Sequence, residues 1–167
     1  MKNIYLVGFM GTGKTAVAKM LSHKLSRPYL DLDEEIVKKE GCSINEIFEK
    51  GGETFFRKIE KQLVLEISEK NNLVVSCGGG VLLDKENVQT LKKSGIVICL
   101  NAPAEEIYER IKDDKSRPLL KVPNPLEKIK ELLHIRKPYY ELADHAVDTT
   151  GLSVEDITGK ILQLFKV

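Results

Sequence analysis

The chain predicts an α/β fold, a parallel β-sheet with helices packed on both faces. Three observations carry that prediction. Strand-like apolar runs alternate with amphipathic helical stretches from end to end, the pattern of strands joined by helical crossovers. The run Ile96-Val97-Ile98-Cys99-Leu100 is nearly all apolar, as a strand covered on both faces requires. The third is Gly8-Phe9-Met10-Gly11-Thr12-Gly13-Lys14-Thr15, of the form G-x-x-x-x-G-K-[ST], set between a strand-like run and a helix-like one.

Asn3-Ile4-Tyr5-Leu6-Val7 is the first strand. The glycine-rich loop over residues 8–15 follows, and Val17, Met20, Leu21 and Leu25 then recur at helical spacing. Residues 28–32 read as a second strand and residues 34–40 as a short helix stopped by Gly41. Ser43-Ile44-Asn45-Glu46 has the form of a capping box and opens another short helix. A long charged helix is expected over residues 53–70, and a buried strand over 73–77 that runs into Gly78-Gly79-Gly80. Residues 84–93 are helical up to Gly95, residues 96–100 form the fourth strand, and residues 104–112 the next helix. Residues 113–125 are dense in charge and proline and are expected to form a lid. The last long helix covers residues 126–142, followed by a short strand near Ala146-Val147 and a terminal helix from Val154. No internal repeat stands out.

The loop over residues 8–15 has the composition of a phosphate cradle. Glycine lets the backbone curl so that several N–H groups converge on one anion. Lys14 adds a fixed positive charge, and the Thr15 hydroxyl can ligate Mg²⁺. The loop therefore predicts binding of a nucleoside triphosphate. In a parallel sheet ligands bind at the carboxyl ends of the strands. That rule brings three segments to one crevice: the loop after the first strand, Asp31 and Asp33 after the second, and Gly78 to Gly80 after the third.

Asp31 and Asp33, two apart at a strand end, can project to the same side. Their oxygens suit Mg²⁺, or the proton of a hydroxyl about to attack a phosphate; alternatively Asp33 only caps the helix at residue 34. Arg57 stands four residues after Glu53 and three before Glu60, so a solvated salt-bridge ladder competes with a binding role. Three successive glycines exceed what a turn needs and suggest close approach of a ligand to bare backbone. Arg117, in the lid segment, could neutralise charge on a transferring phosphoryl group. Arg136 lies in a helix carrying Pro138, an unusual place for proline.

With 167 residues the chain fits one domain over 1–167. A hydrophobic content of 42%, a charged content of 31% and a net charge of +1 argue against a protein that coats nucleic acid or an anionic membrane. No apolar run reaches the roughly 20 residues of a membrane span, and no signal peptide is expected at the start. Cys42, Cys77 and Cys99 form no C-x-x-C pair, so thiols in a reducing cytoplasm are expected. His23, His134 and His145 lack metal-site spacing.

In their order and spacing these segments resemble the shikimate kinase family over nearly the whole chain. The matching elements are GFMGTGKT, DLDEE, GGETFFRKIE, SCGGG, the pair Glu109-Arg110, RPLL from Arg117, and RKPYYELAD from Arg136. The resemblance implies a three-layer α/β/α phosphate-loop kinase fold of the nucleoside-monophosphate-kinase type, with a five-stranded sheet in 2-3-1-4-5 order. It implies ATP-dependent phosphorylation of the 3-hydroxyl of shikimate on the way to chorismate and the aromatic amino acids, by a cytoplasmic monomer. Gly11, Thr12, Gly13, Lys14, Thr15 and Ala16 would then hold ATP, with Arg110 beside the adenine and Arg117 reaching over from the lid. Thr15 would bind Mg²⁺, with Asp31 in its outer shell. Asp33 would bind the shikimate hydroxyls and act as the base, within substrate-binding helices over about residues 33–61. Arg57 and Arg136 would grip the carboxylate, and the Gly79 and Gly80 backbone would bound the ring.

Two positions depart from the family pattern. Ala16 replaces a hydroxyl residue common after the loop threonine, and Leu32 replaces a small polar residue between the aspartates. Within the same fold the alternatives are a kinase for gluconate or for a nucleoside monophosphate. A GTPase switch would need an N-K-x-D motif, which the chain lacks; Asp148-Thr149-Thr150 is no substitute.

Overall fold

In the computed structural model, which describes residues 1–114 and 122–165, five strands pair in parallel. They are β1 (Asn3–Val7), β2 (Tyr29–Asp31), β3 (Val74–Ser76), β4 (Gly95–Asn101) and β5 (His145–Asp148). Their order across the sheet is β2-β3-β1-β4-β5, as expected. β1 is central, with Ile4 opposite Val74 on one side and Ile96 on the other. Its position sends the loop after Val7 out at the middle of the sheet's carboxyl edge.

Alternation along the strands divides the core into two layers. Ile4, Leu6, Ile98 and Leu100 face α1 (Lys14–Leu25) and α7 (Val154–Gln163), where they meet Val17, Leu21, Ile157 and Ile161. Tyr5, Val7, Val97 and Cys99 face the other way. There they meet side chains of α3 (Ile44–Ser68), α4 (Lys85–Ser94), α5 (Ala104–Ile111) and α6 (Pro125–Tyr140). Burying each such Leu, Ile or Val contributes about 1.5–3 kcal/mol, so this patterning holds the strands in register.

Several boundaries differ from the sequence expectation, each for a local reason. The second strand stops at Asp31 and α2 (Leu32–Glu40) starts at once, because the Asp31 carboxylate accepts from the amides of Asp33 and Glu34. Asp31, not Asp33, is the cap. The expected capping box of Ser43 and Glu46 is present. The two helices expected on either side of Gly52 stack into one long element, interrupted only at Gly52, whose φ of 67° and ψ of −174° are not helical. Gly95 ends α4 as expected, its N–H donating to the Leu91 carbonyl, and it is also the first residue of β4. α6 ends at Tyr140, with Pro138 in its last turn. The lid expected over 113–125 lies mostly outside the described residues.

Candidate active site

The phosphate loop leaves β1 at Gly8, where φ is 130° and a Cβ would stand 2.3 Å from the Leu100 carbonyl oxygen. Only glycine lets the chain turn this close to β4. The curl is pinned at the Phe9 carbonyl, which accepts from the Thr12 hydroxyl at 2.7 Å and from Lys14 Nζ at 2.8 Å. Gly13 then caps α1 through its backbone alone, and the first turn of α1 carries no acidic side chain. The amides and the positive dipole end of that turn are thus presented to an anion.

A cavity of about 280 Å³ opens over the loop, lined by Gly11, Gly13, Lys14, Thr15, Ala16, Asp31, Asp33, Ser76 and the backbone of Gly78 and Gly79. At its floor the Thr15 hydroxyl lies 3.1 Å from Asp31 Oδ2 and 3.3 Å from Ser76 Oγ. This donor set is all oxygen, which suits a hard divalent cation completed by phosphates and water. Among the described residues no cluster of three His, Cys, Asp or Glu could hold a metal by itself. Tyr29 Oη also donates to Asp31 Oδ2, at 3.2 Å. Burial and the Asp31 charge raise the Tyr29 pKa, so it remains a donor.

A second cavity of about 310 Å³ adjoins the first. Asp33, Gly78, Gly79 and Met10 line both. Its other walls are Ile44, Asn45, Phe48, Phe56, Arg57, Glu60, Gly80 and Arg136. The Phe48 and Phe56 rings stand 5.0 Å apart and form its apolar side. Arg57 and Arg136, 79 residues apart in sequence, thus enter one small volume together with Asp33.

Arg57 does form the ion pairs that its spacing allows, with Glu53 at 3.0 Å and Glu60 at 2.7 Å. They do not make it a surface ladder, because Glu60 is fully buried. Burial disfavours the Arg57 charge, but Glu60 and Glu53 more than offset this and raise its pKa. Burial raises the Glu60 pKa, and the Arg57 charge opposes that rise. Glu60 Oε1 has no hydrogen-bond partner among the described residues. Arg136 is 5% exposed, stacks over Phe9 with its guanidinium carbon 5.5 Å from the ring centre, and donates to the Gly79 carbonyl.

Arg110 donates to the Gly11 carbonyl and to Thr149, and pairs with Glu106, so it ties α5 to the far side of the phosphate loop. Arg117 lies outside the described residues. Sequence reasoning passed over Ser76, Phe9 and Tyr140, and read Glu60 only as a helix neighbour of Arg57. Ser76 was visible as the residue before Cys77 at a strand end; the other contacts had no local signal.

Comparison with known proteins gives this arrangement its relatives. The family model described as shikimate kinase matches residues 10–166. A shikimate kinase of Thermodesulfovibrio yellowstonii is 49% identical over 99% of this chain and 96% of its own length. A solved structure of Acinetobacter baumannii shikimate kinase in complex with shikimate is 44% identical, with a TM-score of 0.95, covering 99% of this chain and 93% of that one. Aquifex aeolicus shikimate kinase is 42% identical with a TM-score of 0.86, covering 98% and 96%. On sequence and fold alike, this chain belongs to the shikimate kinase family.

Proposed function

We propose that the chain transfers the γ-phosphoryl group of ATP to the 3-hydroxyl of shikimate, giving shikimate 3-phosphate and ADP in the route to chorismate and the aromatic amino acids. The observation that carries this reading is the position of Asp33 on the wall common to the two cavities. A carboxylate there can bind an acceptor hydroxyl and take its proton while the oxygen attacks the γ-phosphorus. Lys14, the loop amides and the α1 N-terminus stabilise the phosphate charge. Arg57 and Arg136 supply the forks that a substrate carboxylate needs, and the Gly79 and Gly80 backbone borders the ring.

Thr15, with Asp31 and Ser76 behind it, would hold Mg²⁺, which supplies charge neutralisation to the phosphates when bound. Ala16 lines the phosphate cavity without a hydroxyl to offer it. Arg110 would flank the adenine, and Arg117 would meet the phosphates from the lid. The chain would act as a monomer. Three free thiols and dependence on ATP fit the cytoplasm. No helix of the described residues is long and apolar enough to cross a membrane.

A coupled ADP-release assay comparing shikimate, gluconate and nucleoside monophosphates tests the assignment. Turnover is expected with shikimate alone. Turnover with gluconate or a nucleotide but not with shikimate would overturn it.

A further inference from the structure

Three glycines in a row carry three carbonyl groups, and their partners differ. Those of Gly78 and Gly80 accept from the amides of Val81 and Leu83, within the same short turn. That of Gly79 is held from α6, by Tyr140 Oη at 2.6 Å and by Arg136 Nη1 at 3.4 Å. A trans peptide is planar, so fixing the Gly79 carbonyl also fixes the Gly80 N–H, which points the opposite way. Among the described residues nothing accepts a hydrogen bond from that N–H.

The surroundings of this peptide identify what it would bind. A Cβ on Gly80 would lie 2.3 Å from Arg57 Nη2, and one on Gly79 would lie 3.6 Å from Arg136 Nη1. The peptide therefore runs between the two guanidinium groups at the wall of the second cavity. We propose that Tyr140 is a positioning residue, which holds the Gly79–Gly80 peptide so that the Gly80 N–H donates to the substrate carboxylate between Arg57 and Arg136. This inference rests on the shikimate reading above. It adds a residue that touches no substrate and acts only through the backbone.

Tyr140 suits that task. It is 9% exposed and packed in the core, so its ring has little freedom. Burial pushes its pKa up to about 12 against the pull of the Arg136 charge, which keeps the hydroxyl a donor at any physiological pH. Arg136 alone is a poor substitute, because its contact with the carbonyl is long and its guanidinium is wanted by the substrate.

Tyr140→Phe keeps the ring and deletes the hydroxyl. By calorimetry the variant should bind shikimate about tenfold more weakly, the loss of one charge-assisted bond, with ATP affinity within about twofold of wild type. The shikimate methyl ester, which lacks the negative charge, should bind wild type and variant about equally. By NMR the Gly80 amide proton should shift downfield on adding shikimate to the wild type and shift less in the variant, a readout that overall stability does not move. Unchanged shikimate affinity would overturn the proposal. So would a parallel loss of shikimate and ATP affinity, or an equal penalty for the ester. If the wild type itself failed to bind shikimate, the functional reading would fall and the Tyr140 proposal with it.

Discussion

Asp31 serves Thr15 and the helix after it at the same time. Its Oδ2 accepts the Thr15 hydroxyl at 3.1 Å, while Oδ1 accepts the amides of Asp33 at 3.0 Å and Glu34 at 3.3 Å. The cap thereby orients the carboxylate toward the phosphate loop, and it starts α2 early enough to bring Asp33 into the first turn, on the wall of both cavities.

The two tasks of Asp31 can be separated by mutation. Asn caps helices as well as Asp does, so Asp31→Asn should keep the stability of the wild type but need more Mg²⁺ for half-maximal activity. Asp31→Ala should share that Mg²⁺ defect and also lose about 1 kcal/mol of stability with the cap. Thermal melts and a Mg²⁺ titration of initial rates measure both effects. A normal Mg²⁺ dependence in the Asn variant would confine Asp31 to the helix.

Lys14→Met should fold and yet be almost inactive. Lys14 Nζ bonds the Phe9 carbonyl, but the Thr12 hydroxyl bonds the same oxygen and keeps the loop curled. What the variant loses is the charge on the phosphates during transfer, worth on the order of 3 kcal/mol or more in a water-poor site. Near-normal kcat in a folded variant would remove Lys14 from the chemistry.

Arg57→Ala and Arg136→Ala should each weaken shikimate binding by about 1.5–3 kcal/mol, the worth of a hydrogen bond to a charged group, with little effect on ATP. They should differ in stability. Arg57 is the main opposition to the rise of the Glu60 pKa, so its loss drives that pKa further up from 4.5. A carboxyl whose folded pKa is raised contributes fully below its unfolded pKa and loses that contribution as pH rises through the folded value. The instability of Arg57→Ala should therefore be small in acid and grow toward neutral pH. Adding Glu60→Gln should flatten the profile. A deficit that is constant with pH would show that Arg57 does not compensate Glu60.

What the sequence made legible follows from range. The phosphate loop, the alternation of strands and helices and the capping box at Ser43 depend on neighbours a few residues apart, and all appear where expected. Glu60 was out of reach because a Glu three places after an Arg in a charged helix looks solvated, and only tertiary packing buries it. Tyr140 was hidden for the opposite reason: an aromatic residue near a helix end looks like ordinary core. Its hydroxyl finds Gly79 only once the fold closes over a separation of 61 residues. Leu32, a departure from the family pattern, is 1% exposed and packs in the core, so it turns away from the cavity that Asp31 and Asp33 line.

Gly8 and Gly80 would both receive a Cβ at 2.3 Å from another atom, yet alanine should have different effects at the two sites. At Gly8 the obstacle is the Leu100 carbonyl oxygen, part of the β4 backbone, and the φ of 130° is itself unfavourable to an L-residue. Neither can yield without moving a strand, so Gly8→Ala should cost more than about 3 kcal/mol and lower Tm sharply. At Gly80 the obstacle is the end of the Arg57 side chain. The guanidinium can swing away, although it must loosen its pairs with Glu53 and Glu60 to do so. Gly80→Ala should therefore fold with a modest loss of Tm and bind shikimate at least tenfold more weakly, since 1.4 kcal/mol of displaced charge suffices for that. Melts and shikimate titrations of both variants distinguish the two cases. Equal destabilisation at the two sites would mean that the Arg57 guanidinium is as immovable as a strand backbone, and wild-type shikimate affinity in Gly80→Ala would mean that its position does not matter to the substrate.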